Sequence, residues 1–246
     1  MSAQQILAGD LRSIARAATQ IENGTPAGAA LLKELQPHTG RALIIGLTGP
    51  PGAGKSTLCN QLVRVIRGEG LKVAVIAVDP SSPLSGGAIL GDRIRMQQHH
   101  ADPQVFIRSM ATRGFPGGLA RTTRDLTTLL DAAGYDVIII ETVGVGQSEI
   151  EVARLAQVTV LVLVPGSGDD VQSIKAGIME VAQVFAVNKA DLPGADLLAS
   201  NIHAATALDT GTPPEIVKVV SLEGKGIEEL LTAIRRAPRR TLPTFV

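Results

Sequence analysis

The chain has 246 residues, with 23 basic and 23 acidic side chains, 45% hydrophobic residues and only 2% aromatic ones. Balanced charge argues against the basic footprint of a nucleic-acid or anionic-membrane binder. The scarcity of aromatics requires a core built from Val, Ile, Leu and Ala. The single cysteine, Cys59, rules out an internal disulfide and fits a reducing, cytoplasmic setting. No apolar run reaches the ~18 residues of a spanning helix, and Asp10, Arg12 and Arg16 stand where a signal peptide would be apolar.

In chain order, Ile6, Leu7, Leu11, Ile14, Ala18 and Ile21 recur at helical spacing and predict a helix over 3–22. Asn23-Gly24 stops it, Pro26 opens a second helix, and Pro37 ends that one after Leu35. From Ala42 onward strands alternate with helices. Strands are expected at 42–47, 72–78, 104–109, 136–141, 158–164, 183–188 and 216–220, with helices at 55–68, 91–99, 117–133, 170–181, 194–207 and 225–236. The run after Lys72, Val73 to Val78, is continuously apolar, as in strands covered on both faces. The expected fold is α/β, a mostly parallel central sheet with helices on both faces, preceded by a short N-terminal helical extension. The expected division is 1–40 for the extension, 41–237 for the nucleotide domain and 238–246 for a tail. The loop Pro80–Gly91 is long for such a unit, and long loops in compact domains are more often functional than idle.

Gly49-Pro50-Pro51-Gly52-Ala53-Gly54-Lys55-Ser56 fits the pattern G-x-x-x-x-G-K-[ST], between an apolar strand and a helix that continues from Thr57. Its glycines let successive N–H groups point at phosphate oxygens, and the helix start adds its own free N–H groups. Lys55 supplies charge to the β- and γ-phosphates, and the Ser56 hydroxyl is placed to ligate Mg²⁺. Glu141, at the end of the run Val137–Ile140, would hold a Mg²⁺ water, and Gly144 would offer its N–H to the γ-phosphate. Asp79 and Asp92 are weighed as metal ligands, Asp92 alternatively as a helix cap. Asn188-Lys189-Ala190-Asp191 lies at a strand end. A carboxylate there accepts from the ring N–H and exocyclic amine of guanine, which adenine cannot match. Ser221 and Leu222 lie in a second candidate base loop, one strand later. His99 and His100 are neighbours that do not face one another on a helix, so they make a poor chelator.

These strings, with Val78-Asp79-Pro80-Ser81-Ser82, Ile89-Leu90-Gly91-Asp92-Arg93, Glu141 to Glu149 and Gly168 to Lys175, resemble the metallochaperone-like P-loop GTPases. Within that group they are most similar to the methylmalonyl-CoA mutase-associated type (MeaB/ArgK), over about residues 10–235. The resemblance implies a GTPase that gates adenosylcobalamin loading and protects or rescues an acyl-CoA mutase. The cobalamin then belongs to the mutase, and Mg²⁺ with GTP or GDP to this chain. By position it implies Lys55, Asp92, Glu141 and Gly144 as catalytic, and Ser56, Asp79, Asp92 and Glu141 as the metal shell. Gly49 to Thr57, Asn188, Lys189, Asp191, Ser221 and Leu222 would bind nucleotide. Gly168, Asp169, Asp170, Gln172 and Lys175 would form the switch that meets the mutase.

Two departures from the family pattern stand out. Pro238, Pro243 and the end at Val246 leave no room for the family's C-terminal dimerisation arm, so a monomer or a nucleotide-dependent homodimer is expected. Val145 stands where Ras-like GTPases carry a water-positioning Gln, and Arg108 and Arg113 are the candidate catalytic arginines. The competing readings are a nickel metallochaperone GTPase and a P-loop small-molecule kinase. The first needs a Cys/His cluster; the second has no need of Asn188–Asp191. A partition- or nitrogenase-type ATPase would carry a second lysine where Pro50 stands.

Overall fold

The computed structural model describes residues 2–79, 99, 101–111, 118–142, 154–166, 179, 181–206 and 213–242. The elements run α1 (Ala3–Leu7), α2 (Leu11–Glu22), α3 (Pro26–Leu35), a 3-10 turn (Gln36–His38), β1 (Leu43–Thr48), α4 (Lys55–Gly68), β2 (Val73–Asp79), β3 (Val105–Ala111), α5 (Gly118–Ala132), β4 (Val137–Thr142), β5 (Val158–Leu163), β6 (Val184–Val187), α6 (Ala195–Thr206), β7 (Glu215–Lys218) and α7 (Ile227–Arg236). The strands form one seven-stranded sheet in the order β3-β2-β4-β1-β5-β6-β7. The pairs β1–β5, β2–β3, β5–β6 and β6–β7 run parallel.

The chain winds outward from β1 in one direction, returns through β4, and winds outward in the other direction through β5 to β7. Ligands of open parallel sheets bind outside the carboxyl ends of the strands at such a reversal. That places the expected crevice at Thr48, where β1 ends. Strands β1, β4, β5 and β6 are buried along their whole length, as their unbroken apolar runs require. Edge strand β7 instead exposes Glu215 and Lys218, and charge on an edge discourages pairing with another chain.

Two compact units emerge, Met1–Ile44 with Ile66–Ile139, and Ile45–Val65 with Ile140–Val246. In the first, α2 packs on α3 and α5 and buries Ile14, Ala17, Ala18 and Ile21. Asp131 of α5 accepts the N–H groups of Gly40, Arg41 and Ala42 at 2.5, 3.2 and 3.0 Å, which fixes the chain just before β1. In the second unit Leu161, Leu163, Phe185, Val187, Ala195 and Ile202 form an aliphatic cluster around one phenylalanine.

The structure corrects two element boundaries. The single helix expected over 3–22 is two helices. Gly9 has φ +78°, a left-handed conformation that a helix cannot contain, and Asp10 caps α2 by accepting from Ser13 N at 2.9 Å. The apolar stripe continues across the break, which is why periodicity alone joined the pieces. The helix expected from 225 starts at Ile227 instead. Val220 and Lys225 pair as an antiparallel bridge, and Gly226, at φ +76°, turns the chain into α7. Most of the expected helices 91–99 and 170–181 lies outside the described residues.

Candidate nucleotide site

The loop between β1 and α4 depends on glycine. Gly49 has φ +143°, and a Cβ there would run into the Val162 carbonyl of β5. Gly54 has φ +88°, and a Cβ there would run into Asn188 Nδ2. Both positions therefore need the left-handed backbone and the close approach that glycine alone permits. Lys55 opens α4 and is buried. Its Nζ donates to the carbonyls of Gly49 at 2.8 Å and Pro50 at 2.9 Å, so the ammonium lies folded over the start of the loop. The loop thus concentrates one positive charge among backbone groups at the head of a helix, an arrangement suited to an anion.

Glu141 is the penultimate residue of β4 and is 3% exposed. Ser56 Oγ donates to Glu141 Oε1 at 2.6 Å. A carboxylate so far from water needs strong hydrogen bonding or a cation, and the pair puts two hard oxygen donors side by side. One residue further on, Thr142 Oγ1 donates to Thr48 Oγ1 at 3.1 Å, between two buried side chains.

The other end of the site is organised by Asn188, directly after β6. Its Nδ2 donates to the Ala53 carbonyl at 2.8 Å. Its Oδ1 accepts from the Ser221 N–H at 3.1 Å and from the Ser221 hydroxyl at 2.8 Å. One buried amide therefore fastens the glycine loop to the loop after β7. Lys189 has φ +54°, the only positive φ at a non-glycine among the described residues, and its Nζ reaches the Gly52 carbonyl at 3.1 Å. Asp191 is exposed, and Leu222 is 84% exposed at the tip of the loop closed by the Val220–Lys225 bridge. Lys225 pairs with Glu223 at 2.6 Å. That hydrogen bond, with a smaller pull from Asp191, holds the Lys225 ammonium above the usual lysine range.

The structure therefore gathers Gly49 to Thr57, Glu141, Asn188, Lys189 and Ser221 around one loop. Asp79 is the last residue of β2, and its side chain lies outside what is described. Asp92, Gly144 and the switch residues Gly168, Asp169, Asp170, Gln172 and Lys175 also lie outside the described residues, as does Arg113. Arg108 is held by Glu22, at 2.7 Å from Nε and 2.5 Å from Nη2, and its Nη2 also donates to Thr19 at 3.2 Å. Two features were missed in the sequence. One is the reach of Asn188 to Ala53. The other is the Thr48–Thr142 pair, whose only signal was a threonine closing each of two apolar runs.

A glycine loop at the reversal of a parallel sheet, with a buried lysine and a buried acid near the end of the neighbouring strand β4, defines a P-loop nucleoside triphosphatase. Asn188 ties the glycine loop to the loop after β7. The chain belongs to the family described as "Methylmalonyl Co-A mutase-associated GTPase MeaB", whose model matches residues 14–242, and it is a GTPase. It is similar to the GTPase ArgK of Escherichia coli, 41% identical over 244 residues that make up 95% of this chain and 74% of that one. A Pyrococcus horikoshii protein provisionally named a GTPase is 51% identical over 238 residues, 94% of this chain and 75% of that one. The crystal structure of a LAO/AO transport system kinase superposes with a TM-score of 0.77 at 34% identity, covering 95% of this chain and 72% of that chain.

Proposed function

We propose that this GTPase is the chaperone of an adenosylcobalamin-dependent acyl-CoA mutase, with GTP hydrolysis gating cofactor loading and serving to protect or reactivate the mutase. The observation that carries the partner is the match to a mutase-associated family along nearly the whole chain. Adenosylcobalamin stays on the mutase. The setting is the cytoplasm, and the assembly is a monomer or a homodimer that forms with nucleotide. Among the described residues no helix is long and apolar enough to cross a membrane.

In this reading the backbone of Gly49 to Thr57 cradles the phosphates, and Lys55 leaves the Gly49 and Pro50 carbonyls to meet the β- and γ-oxygens. Ser56 and Glu141 fit Mg²⁺, a hard cation that uses one or two protein oxygens and takes the rest from phosphate and water. When bound, that ion neutralises charge on the transferring phosphoryl group. Asp79 and Asp92 would act on the ion through its waters, and Gly144 would donate to the γ-phosphate. Asn188 holds the base loop, Lys189 and Asp191 contact guanine, and Ser221 and Leu222 border it. Gly168, Asp169, Asp170, Gln172 and Lys175 meet the mutase.

Binding between the purified chain and a methylmalonyl-CoA mutase, measured by calorimetry with GDP and with a non-hydrolysable GTP analogue, tests the partner. A complex whose affinity differs between the two nucleotides supports the proposal. No binding in either state overturns it.

A further inference from the structure

Three pairs of adjacent residues, Thr48-Gly49, Lys55-Ser56 and Glu141-Thr142, close a circuit. Lys55 Nζ donates to the Gly49 carbonyl at 2.8 Å. Ser56 Oγ donates to Glu141 Oε1 at 2.6 Å. Thr142 Oγ1 donates to Thr48 Oγ1 at 3.1 Å. Peptide bonds supply the remaining links, so the strand end before the glycine loop and the strand end carrying the acid form one ring.

We propose that the Thr48–Thr142 hydroxyl pair is a positioning latch for GTP hydrolysis, which sets Glu141 against Ser56 by locking the ends of β1 and β4 together. Strands β1 and β4 are neighbours in the sheet, and Thr48 and Thr142 are their last residues. Successive residues of a strand point to opposite faces. Glu141 is therefore fixed through Ser56 on one face, and the next residue is fixed through Thr48 on the other. Held from both faces, the end of β4 can neither roll nor slide without breaking a buried hydrogen bond. Both threonines are 1–2% exposed, and a lost partner would leave a hydroxyl with no water to replace it. Being β-branched, they have few alternative rotamers through which to escape. Thr48 also immediately precedes the glycine loop, and Thr142 immediately follows Glu141. A displacement at the pair would therefore be felt at the Ser56 and Glu141 oxygens, and errors of about 1 Å in such sites cost on the order of 10²-fold in rate.

The latch rests on the proposed roles of Ser56 and Glu141 at Mg²⁺. The test must therefore separate its failure from theirs. Thr48→Val, Thr142→Val, the double variant, Thr142→Ser and Glu141→Gln would be compared in the full chain. The measurements are melting temperature, binding of a fluorescent GDP analogue with Mg²⁺ and with chelator, and the kcat and KM of GTP hydrolysis. Thr142→Val is expected to lower kcat about tenfold and to weaken the Mg²⁺ enhancement of GDP binding. KM and GDP affinity in chelator should stay near parental values. Thr142→Ser should restore the parental behaviour, and the double variant should be no worse than the poorer single one, because the two hydroxyls act as a unit. Should Thr142→Val fail to fold, Thr48→Val and Thr142→Ser carry the comparison. Parental kcat and Mg²⁺ response in the valine variants, with Glu141→Gln defective, would overturn the latch alone. A parental Mg²⁺ response in Glu141→Gln would overturn the metal reading beneath it.

Discussion

Asn188 and Ser221 are joined twice, because Asn188 Oδ1 accepts both the backbone N–H and the hydroxyl of Ser221. The same side chain donates to the Ala53 carbonyl, so one amide joins the glycine loop to the loop after β7. Asn188→Ala would strip these partners inside a buried region. Stability should fall by about 1–3 kcal/mol, read as a lower urea midpoint, and GDP affinity should fall further than stability alone explains. GDP affinity equal to the parent's would show that the clamp does not shape the nucleotide site.

Asp191 is exposed and so free to accept from a base without breaking an internal contact. In the proposed site, Asp191→Asn removes the acceptor that guanine would use and supplies a donor suited to the extra carbonyl of xanthine. Competition binding should show guanine nucleotides weakened by at least about 10²-fold while xanthine nucleotides gain. Unchanged preference for guanine would remove Asp191 from the base site.

Asp131 bridges α5 to the chain before β1 through three backbone N–H groups while only 5% exposed. In Asp131→Asn one carboxylate oxygen becomes an NH₂ facing N–H donors. Urea unfolding should show a loss of about 2–3 kcal/mol. A loss near zero would mean that the segment finds other acceptors.

Asp102 is held below the ordinary carboxylate value of 3.8, first by its hydrogen bond from Arg67 and next by the Gln104 backbone N–H. A depressed folded-state pKa stabilises fully above the unfolded value, and the contribution is lost as pH falls through the folded one. The parent should therefore lose part of its margin over Arg67→Met as pH drops from near neutrality to below 3.8. A margin independent of pH would assign the Arg67 contribution to packing rather than charge.

Much of this was legible in the sequence because parallel strands carry unbroken apolar runs. Val137–Ile140 and Val184–Val187 announce strands whatever surrounds them, and Gly49–Ser56 carries its own backbone requirement. What was not legible came from two sources. Gly9 breaks a helix by taking φ +78°, which no hydrophobic pattern records, and the Val220–Lys225 bridge depends on a turn rather than on periodicity. Contacts between residues far apart in the chain were also hidden. Asn188 to Ala53 and Thr142 to Thr48 need the fold before they can be seen. The hold of Glu22 on the Arg108 guanidinium is another such long-range contact.

The most direct test of the whole account is the steady-state rate of GTP hydrolysis by the purified chain, alone and with a saturating adenosylcobalamin-dependent acyl-CoA mutase. The predicted result is slow turnover alone, a rise of about tenfold or more with the mutase, and no turnover in Lys55→Ala. A rate that the mutase leaves unchanged would contradict the account.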